Sequence, residues 1–141
     1  LVQLNAILGH VGRTYGLMGD KPHDVEFVLQ QASDLDGIVT GACYRDFQGL
    51  RTFVENGLAW HLEEWTKYLG DVDFMTGAAL TVADLKIYET FRKLVIIEAE
   101  LGTTTMARFP PIQAYIARVE AQPRVAAYLA GPTYMARPLN N

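Results

Sequence analysis

Apolar residues recur every three or four positions along most of the chain, which is the spacing that lets an α-helix bury one face. The longest such stripe lies on one predicted helix that begins near Pro22. It comprises Val28, Ala32, Leu35, Val39 and Ala42. No stretch shows a convincing strand pattern. We therefore predict an all-α fold, a helical bundle forming one domain over residues 1–141.

Glycine and proline residues divide the chain into six predicted helices. Gly16, Gly70 and Gly102 follow the last apolar position of their segments, where a left-handed residue ends many helices. The second helix contains Gly37 and Gly41, which predict a bend or a close approach of a neighbouring helix. The fourth helix, from about residue 82 to 101, is apolar on most sides and is expected to lie at the centre.

The fourth helix opens with the sequence Thr81-Val82-Ala83-Asp84. This has the form of a capping box, in which the Thr81 hydroxyl accepts from the backbone N–H of Asp84 and the Asp84 carboxylate accepts from that of Thr81. We expect both residues to be structural, because losing such a cap costs about 1 kcal/mol.

Composition excludes several classes of function. Half of the 141 residues are hydrophobic and 20% are charged, so the chain can form a substantial core. A net charge of −4 gives no basic surface for nucleic acid. No apolar run approaches the roughly 18 residues of a membrane-spanning helix, and no signal peptide is recognisable. We expect no membrane partner, and the first residues resemble sequence from within a protein.

Motifs with a recognisable chemistry are few. Cys43 is the single cysteine and is interpreted as a small apolar residue of a helix. His61 and Glu64 are spaced as two ligands on one helix could be, but no matching pair occurs on another helix, so no metal site is expected. The motifs alone identify no reaction.

The order of several short segments does carry a resemblance. These segments are QLNAIL at 3–8, HVGRTYGL at 10–17, LTVADL at 80–85, the FP and PRV starts of the last two helices at 109–110 and 123–125, and RPLNN at 137–141. In this order they resemble the C-terminal helical domain of cytosolic glutathione S-transferases, closest to the pi class, with sigma and mu next. The resemblance covers essentially the whole chain.

The resemblance implies an enzyme that joins the thiol of glutathione to small hydrophobic electrophiles. In the family a hydroxyl donor, usually tyrosine, activates that thiol from an N-terminal thioredoxin-like domain, which would precede Leu1. We therefore expect no catalytic residue in this chain and no activity from it in isolation. The family is cytoplasmic and dimeric as a rule, so a cytoplasmic homodimer is expected, with the first two long helices contributing to its interface.

The resemblance also assigns glutathione-binding positions. Gln3 matches a residue that hydrogen-bonds the γ-glutamyl end of glutathione. Leu4 occupies the next position, where a serine or threonine is usual, and the loss of that hydroxyl removes a hydrogen bond worth about 1.5–3 kcal/mol. An aspartate of the second helix reaches the γ-glutamyl ammonium across the dimer. Asp34 and Asp36 are the candidates, and Asp36 is chosen because it flanks the apolar stripe.

Electrophile-site residues are expected at the end of the second helix and in the tail, at Tyr44, Phe47, Met135 and Leu139. Structural alternatives remain for several of these positions. They are a turn residue for Gln3, a solvated carboxylate for Asp36, and core packing for the two aromatic residues. The alternative function is a non-catalytic assembly or scaffold module, because the same helical domain occurs as a docking surface in protein complexes.

Overall fold

The computed structural model describes residues 3–132 and residue 134, and regular structure there is helical apart from one isolated bridge between Phe74 and Gly77. The helices are α1 (Leu4–Tyr15), α2 (Pro22–Arg45), α3 (Phe47–Thr52), a π-helical turn (Phe53–Gly57), α4 (Leu58–Leu69), α5 (Val82–Leu101), a 3₁₀ turn (Met106–Arg108), α6 (Pro110–Glu120) and α7 (Pro123–Leu129). The all-α prediction is confirmed. None of these helices is long and apolar enough to cross a membrane.

The helix ends follow the residues that predicted them. Gly16 and Gly102 adopt φ angles of 70° and 68°, the left-handed conformation that ends a helix without steric cost when there is no Cβ. Proline occupies the first turn of α2, α6 and α7, where its missing N–H would have no partner within the helix.

Helix α5 lies at the centre of the bundle, as its nearly continuous apolar sequence predicted. It packs against α2, α6 and α1. Its Phe91 ring is fully buried and makes edge-to-face contacts with Trp65 and Tyr115, with ring centroids 6.2 and 6.1 Å apart. Such aromatic pairs add stabilisation beyond the burial of their surface.

Within the apolar stripe of α1, Leu8 packs against this core, but the two ends of the stripe do not. Leu4 is 50% exposed and Tyr15 is exposed as well, whereas the buried residues of α1 are Gly9 and Gly12. A Cβ added at Gly12 would lie 2.6 Å from the Met18 sulfur, so glycine allows the backbone of α1 to come close to its neighbours. Only the ends of the stripe, Leu4 and Tyr15, are left at the surface.

The expectation of a close approach of a neighbouring helix at Gly37 and Gly41 was wrong. Helix α2 continues unbroken through both residues, and a Cβ added at either would meet nothing within 4 Å, so no neighbouring helix comes close there. The irregularity lies instead in the next helical segment, where the π-helical turn Phe53–Gly57 joins α3 to α4.

Candidate functional site

The start of α1 carries the first two predicted glutathione-binding residues. Gln3 has a φ of 91° and is the only non-glycine residue with a positive φ in the described part of the chain. Its side chain makes no capping hydrogen bond, and the first turn of α1 contains no acidic residue. The first N–H groups of α1 therefore have no partner within the helix and can receive an anion.

The backbone of Gln3 is strained, and its side chain does not cap α1. A positive φ in a residue with a Cβ costs about 1–3 kcal/mol, and such strain is concentrated at functional sites. Leu4, the next residue, projects an apolar side chain at half exposure and supplies no hydroxyl. The polar groups at this helix start are therefore the backbone donors and the Gln3 amide.

Asp36 is bound within its own chain. Its carboxylate oxygens lie 2.8 Å from the Lys86 ammonium and 2.7 Å from that of Lys93, both on α5. Burial by itself would raise the pKa of Asp36, but the hydrogen bonds and charges of the two lysines outweigh it and hold that pKa below its ordinary value. Burial opposes the charged form of Lys93 too, but its acidic partners raise its pKa.

Asp34 points in another direction, as a separation of two residues on a helix requires. It is exposed and lines a groove between α2 and α4. Because Asp36 already binds two lysines, Asp34 is the carboxylate of this pair that remains available to a group from outside. The structure thus separates the two candidates that the sequence left close together.

The groove between α2 and α4 has a cavity volume of about 510 Å³. Four large hydrophobic residues of its walls are substantially exposed: Phe27, Ile38, Trp60 and Tyr68. Contiguous exposed apolar surface of this kind marks an interaction site in most proteins. Sequence analysis missed this surface, although Trp60 lies off the apolar stripe of its helix and could have indicated it.

The predicted electrophile-site residues are only partly described. Tyr44 is exposed near the end of α2 and lines a small cavity of about 120 Å³ with Cys43 and Lys93. Burial raises the pKa of the Cys43 thiol despite the nearby Lys93 charge, so the thiol is not activated for attack. Phe47 begins α3, but its side chain, and Met135 and Leu139 entirely, lie outside the described residues.

The capping box at the start of α5 is present and has more partners than the sequence indicated. One Asp84 carboxylate oxygen accepts from both the backbone N–H and the hydroxyl of Thr81, at 2.9 and 2.8 Å. The other accepts from the Met75 backbone N–H at 2.8 Å and from the Tyr115 hydroxyl at 2.9 Å. Asp84 is fully buried. Its hydrogen bonds join α5 to α6 and to the preceding loop.

Comparison with known proteins bears directly on these features. A model of the glutathione S-transferase C-terminal domain matches residues 33–132. Glutathione S-transferase P of Bos taurus is 31% identical over an alignment of 147 positions that covers 99% of this chain and 68% of the relative. The chain belongs to the glutathione S-transferase family.

Two further relatives agree with this assignment. Glutathione S-transferase P of Homo sapiens is 29% identical, again over 99% of this chain and 68% of its own length. Glutathione S-transferase Mu 3 of Macaca fuscata fuscata is 26% identical over the whole chain and 63% of its length. The predicted resemblance to the C-terminal domain of the pi and mu transferases is confirmed.

Proposed function

We propose that this chain is the helical part of a glutathione S-transferase that conjugates the glutathione thiol to small hydrophobic electrophiles. In that reaction the thiolate sulfur attacks the electrophilic carbon and forms the new C–S bond, while the bond from that carbon to its leaving group, or the π bond of an activated alkene, breaks and its electron pair passes to the leaving group or to the neighbouring carbon, which then takes up a proton. The chain supplies part of the glutathione site, a wall of the electrophile site and a surface for self-association. The single observation that carries this proposal is the strained, uncapped Gln3 at the start of α1 in a chain of this family.

Glutathione binds, in this proposal, with its γ-glutamyl end at the start of α1. The free backbone N–H groups receive the γ-glutamyl carboxylate, and the Gln3 amide hydrogen-bonds the same end. Asp34, rather than the internally paired Asp36, is the aspartate available to the γ-glutamyl ammonium of a second copy. Leu4 weakens this site because it lacks the hydroxyl of the serine or threonine that is usual at this position in the family.

The thiol-activating hydroxyl comes from a thioredoxin-like domain that contacts α1. The exposed ends of the apolar stripe of α1, Leu4 and Tyr15, support this arrangement, since apolar residues of such a stripe are normally buried against a neighbour. Tyr44 forms one wall of the electrophile site, and Phe47, Met135 and Leu139 complete it. The isolated chain is therefore inactive in conjugation.

A second copy of the chain occupies the groove between α2 and α4. The groove surface combines exposed aromatic rings with charges of both signs, since Asp34 and Glu64 lie along it with Lys67. A surface that carries charges of both signs, and both protruding side chains and recesses, can be complementary to itself across a two-fold axis. Trp60, at 62% exposure, is the residue whose burial contributes most to such an interface.

Glutathione binding tests the first part of this proposal. Calorimetric titration of the 141-residue chain should detect binding with a micromolar-to-millimolar dissociation constant, and Leu4→Ser should tighten it about tenfold by restoring a hydrogen bond to a charged group. Gln3→Ala should weaken binding. Ala6→Ser, an exposed α1 residue, is the matched control and should have no effect. Absence of heat from folded wild type and Leu4→Ser alike would contradict the proposal.

Self-association is tested separately. Sedimentation equilibrium should show a dimer that Trp60→Glu converts to a monomer, because the substitution places a charge within the apolar interface. Val72→Glu, at an exposed apolar residue outside the groove, should leave the dimer intact. A monomer at all accessible concentrations of wild type would refute this part.

The second candidate function is a non-catalytic assembly module. Leu4 favours it, because this side chain removes a hydroxyl that the glutathione site of the family uses. Under this reading no glutathione binds to any variant, while the groove still binds a protein. The two functions are therefore distinguished by the Leu4→Ser titration.

A further inference from the structure

His61 lies in the wall of the groove between two aromatic rings. Its ring centroid is 4.8 Å from that of Trp60, with an interplanar angle of 77°, and 5.6 Å from that of Phe53. Among the described residues it has no hydrogen-bond or ion-pair partner, only these ring contacts. The imidazole therefore already lies in partly apolar surroundings before anything covers the groove.

The charged groups around the groove partly cancel one another. On α4, Glu64 lies one turn beyond His61 but is already bound to Lys67 at 2.9 Å. On α2, Asp34 is the acidic residue of the same groove. The two carboxylates favour a protonated imidazole and the lysine opposes it.

The π-helical turn adds no free charge. Its Glu55 is bound to Arg51 at 2.9 Å. Burial lowers the pKa of His61 below its ordinary value.

We propose that self-association through the groove depends on pH, with His61 as the group that responds. A second copy covers the groove when the imidazole is neutral and is released when it is protonated. The physical reason is that a covered groove excludes the water that hydrates an imidazolium, while the His61 ring makes no hydrogen bond within the described part of its own chain that would replace that water. This inference rests on the homodimer of the proposed function.

Linkage gives the expected size and sign. If association requires neutral His61, then at a pH below the pKa of His61 in the free chain each copy must lose a proton to associate. The dissociation constant then rises up to about tenfold per pH unit for each histidine, or about a hundredfold for a symmetric pair. The overall charge predicts the opposite trend, because the net charge of −4 at pH 7 falls towards zero near the pI of about 5.3, which weakens repulsion between copies.

The experiment is sedimentation equilibrium of the 141-residue chain at pH 7.5, 6.5 and 5.8 at constant salt. Wild type should lose affinity as the pH falls over this range, by less than about thirtyfold because the pKa of His61 lies below its ordinary value of 6.5. His61→Phe keeps a ring without a titrating group and should show no weakening. His61→Gln serves the same purpose if the phenylalanine variant does not fold, as judged by far-UV circular dichroism. His23→Gln removes an exposed histidine of α2 and should behave like wild type.

The possible outcomes distinguish the role of His61 from the existence of the homodimer. A wild-type dimer whose affinity is constant or increases at low pH, with His61→Phe indistinguishable from it, overturns the role of His61 and leaves the homodimer standing. A chain that is monomeric at every pH overturns the homodimer itself and the pH dependence with it.

Discussion

The buried ion-pair group that links α2 to α5 allows a quantitative prediction. Asp36→Asn removes the negative partner that Lys86 has among the described residues, and the Lys86 side chain is 2% exposed. Removing one member of a buried ion pair costs about 3–5 kcal/mol, because a charge is left buried without compensation. Asp36 is 19% exposed and Lys93 is 25% exposed and retains Glu89, so the lower end, about 3 kcal/mol, applies.

Urea unfolding followed by circular dichroism at 222 nm measures this cost, at one protein concentration for all variants because association also stabilises the fold. Asp34→Asn is the matched control, two residues away and exposed, and should change the free energy of unfolding by no more than about 0.5 kcal/mol. Lys86→Met should cost less than Asp36→Asn, since Asp36 keeps Lys93. The loss in free energy of unfolding for the double variant should be smaller than the sum of the losses for Asp36→Asn and Lys86→Met.

The same ion-pair group makes the stability of the fold depend on pH. The pKa of Asp36 is lower in the folded chain than its ordinary value of 3.8, so its contribution to stability is complete above that value and is lost as the pH falls through the folded-state pKa. The stability difference between wild type and Asp36→Asn should therefore narrow as the pH falls below about 4. An Asp36→Asn cost no larger than that of Asp34→Asn at pH 7 would refute the reasoning.

Other perturbations have equally direct outcomes. Asp84→Ala leaves the donors it binds without an acceptor in the core and should cost about 3 kcal/mol or more in urea unfolding, whereas Asp84→Asn, which keeps one oxygen, should cost less. Gly12→Ala should destabilise by about 1–3 kcal/mol, because the new methyl group meets Met18 and Val82, while Gly37→Ala, into open space within a helix, should stabilise by up to about 1 kcal/mol. Equal effects at the two glycines would contradict the packing described.

The sequence by itself determined the elements and the family. Apolar spacing, proline at helix starts and glycine at helix ends are local signals, and local backbone preferences act on them before any tertiary contact forms. The capping box of Thr81 and Asp84 could be predicted for the same reason, since its two members are three residues apart. The order of such segments along the chain was enough to indicate the C-terminal domain of a glutathione S-transferase.

Only the tertiary structure decided which residues meet across helices. Asp34 and Asp36 lie only two residues apart on α2, and their different partners arise from two lysines 50 and 57 positions beyond Asp36. The α1 stripe has the periodicity of a core face, yet its two ends, Leu4 and Tyr15, are left at the surface. Periodicity states that a helix has an apolar face but not what covers it, because that depends on how distant helices are oriented against one another.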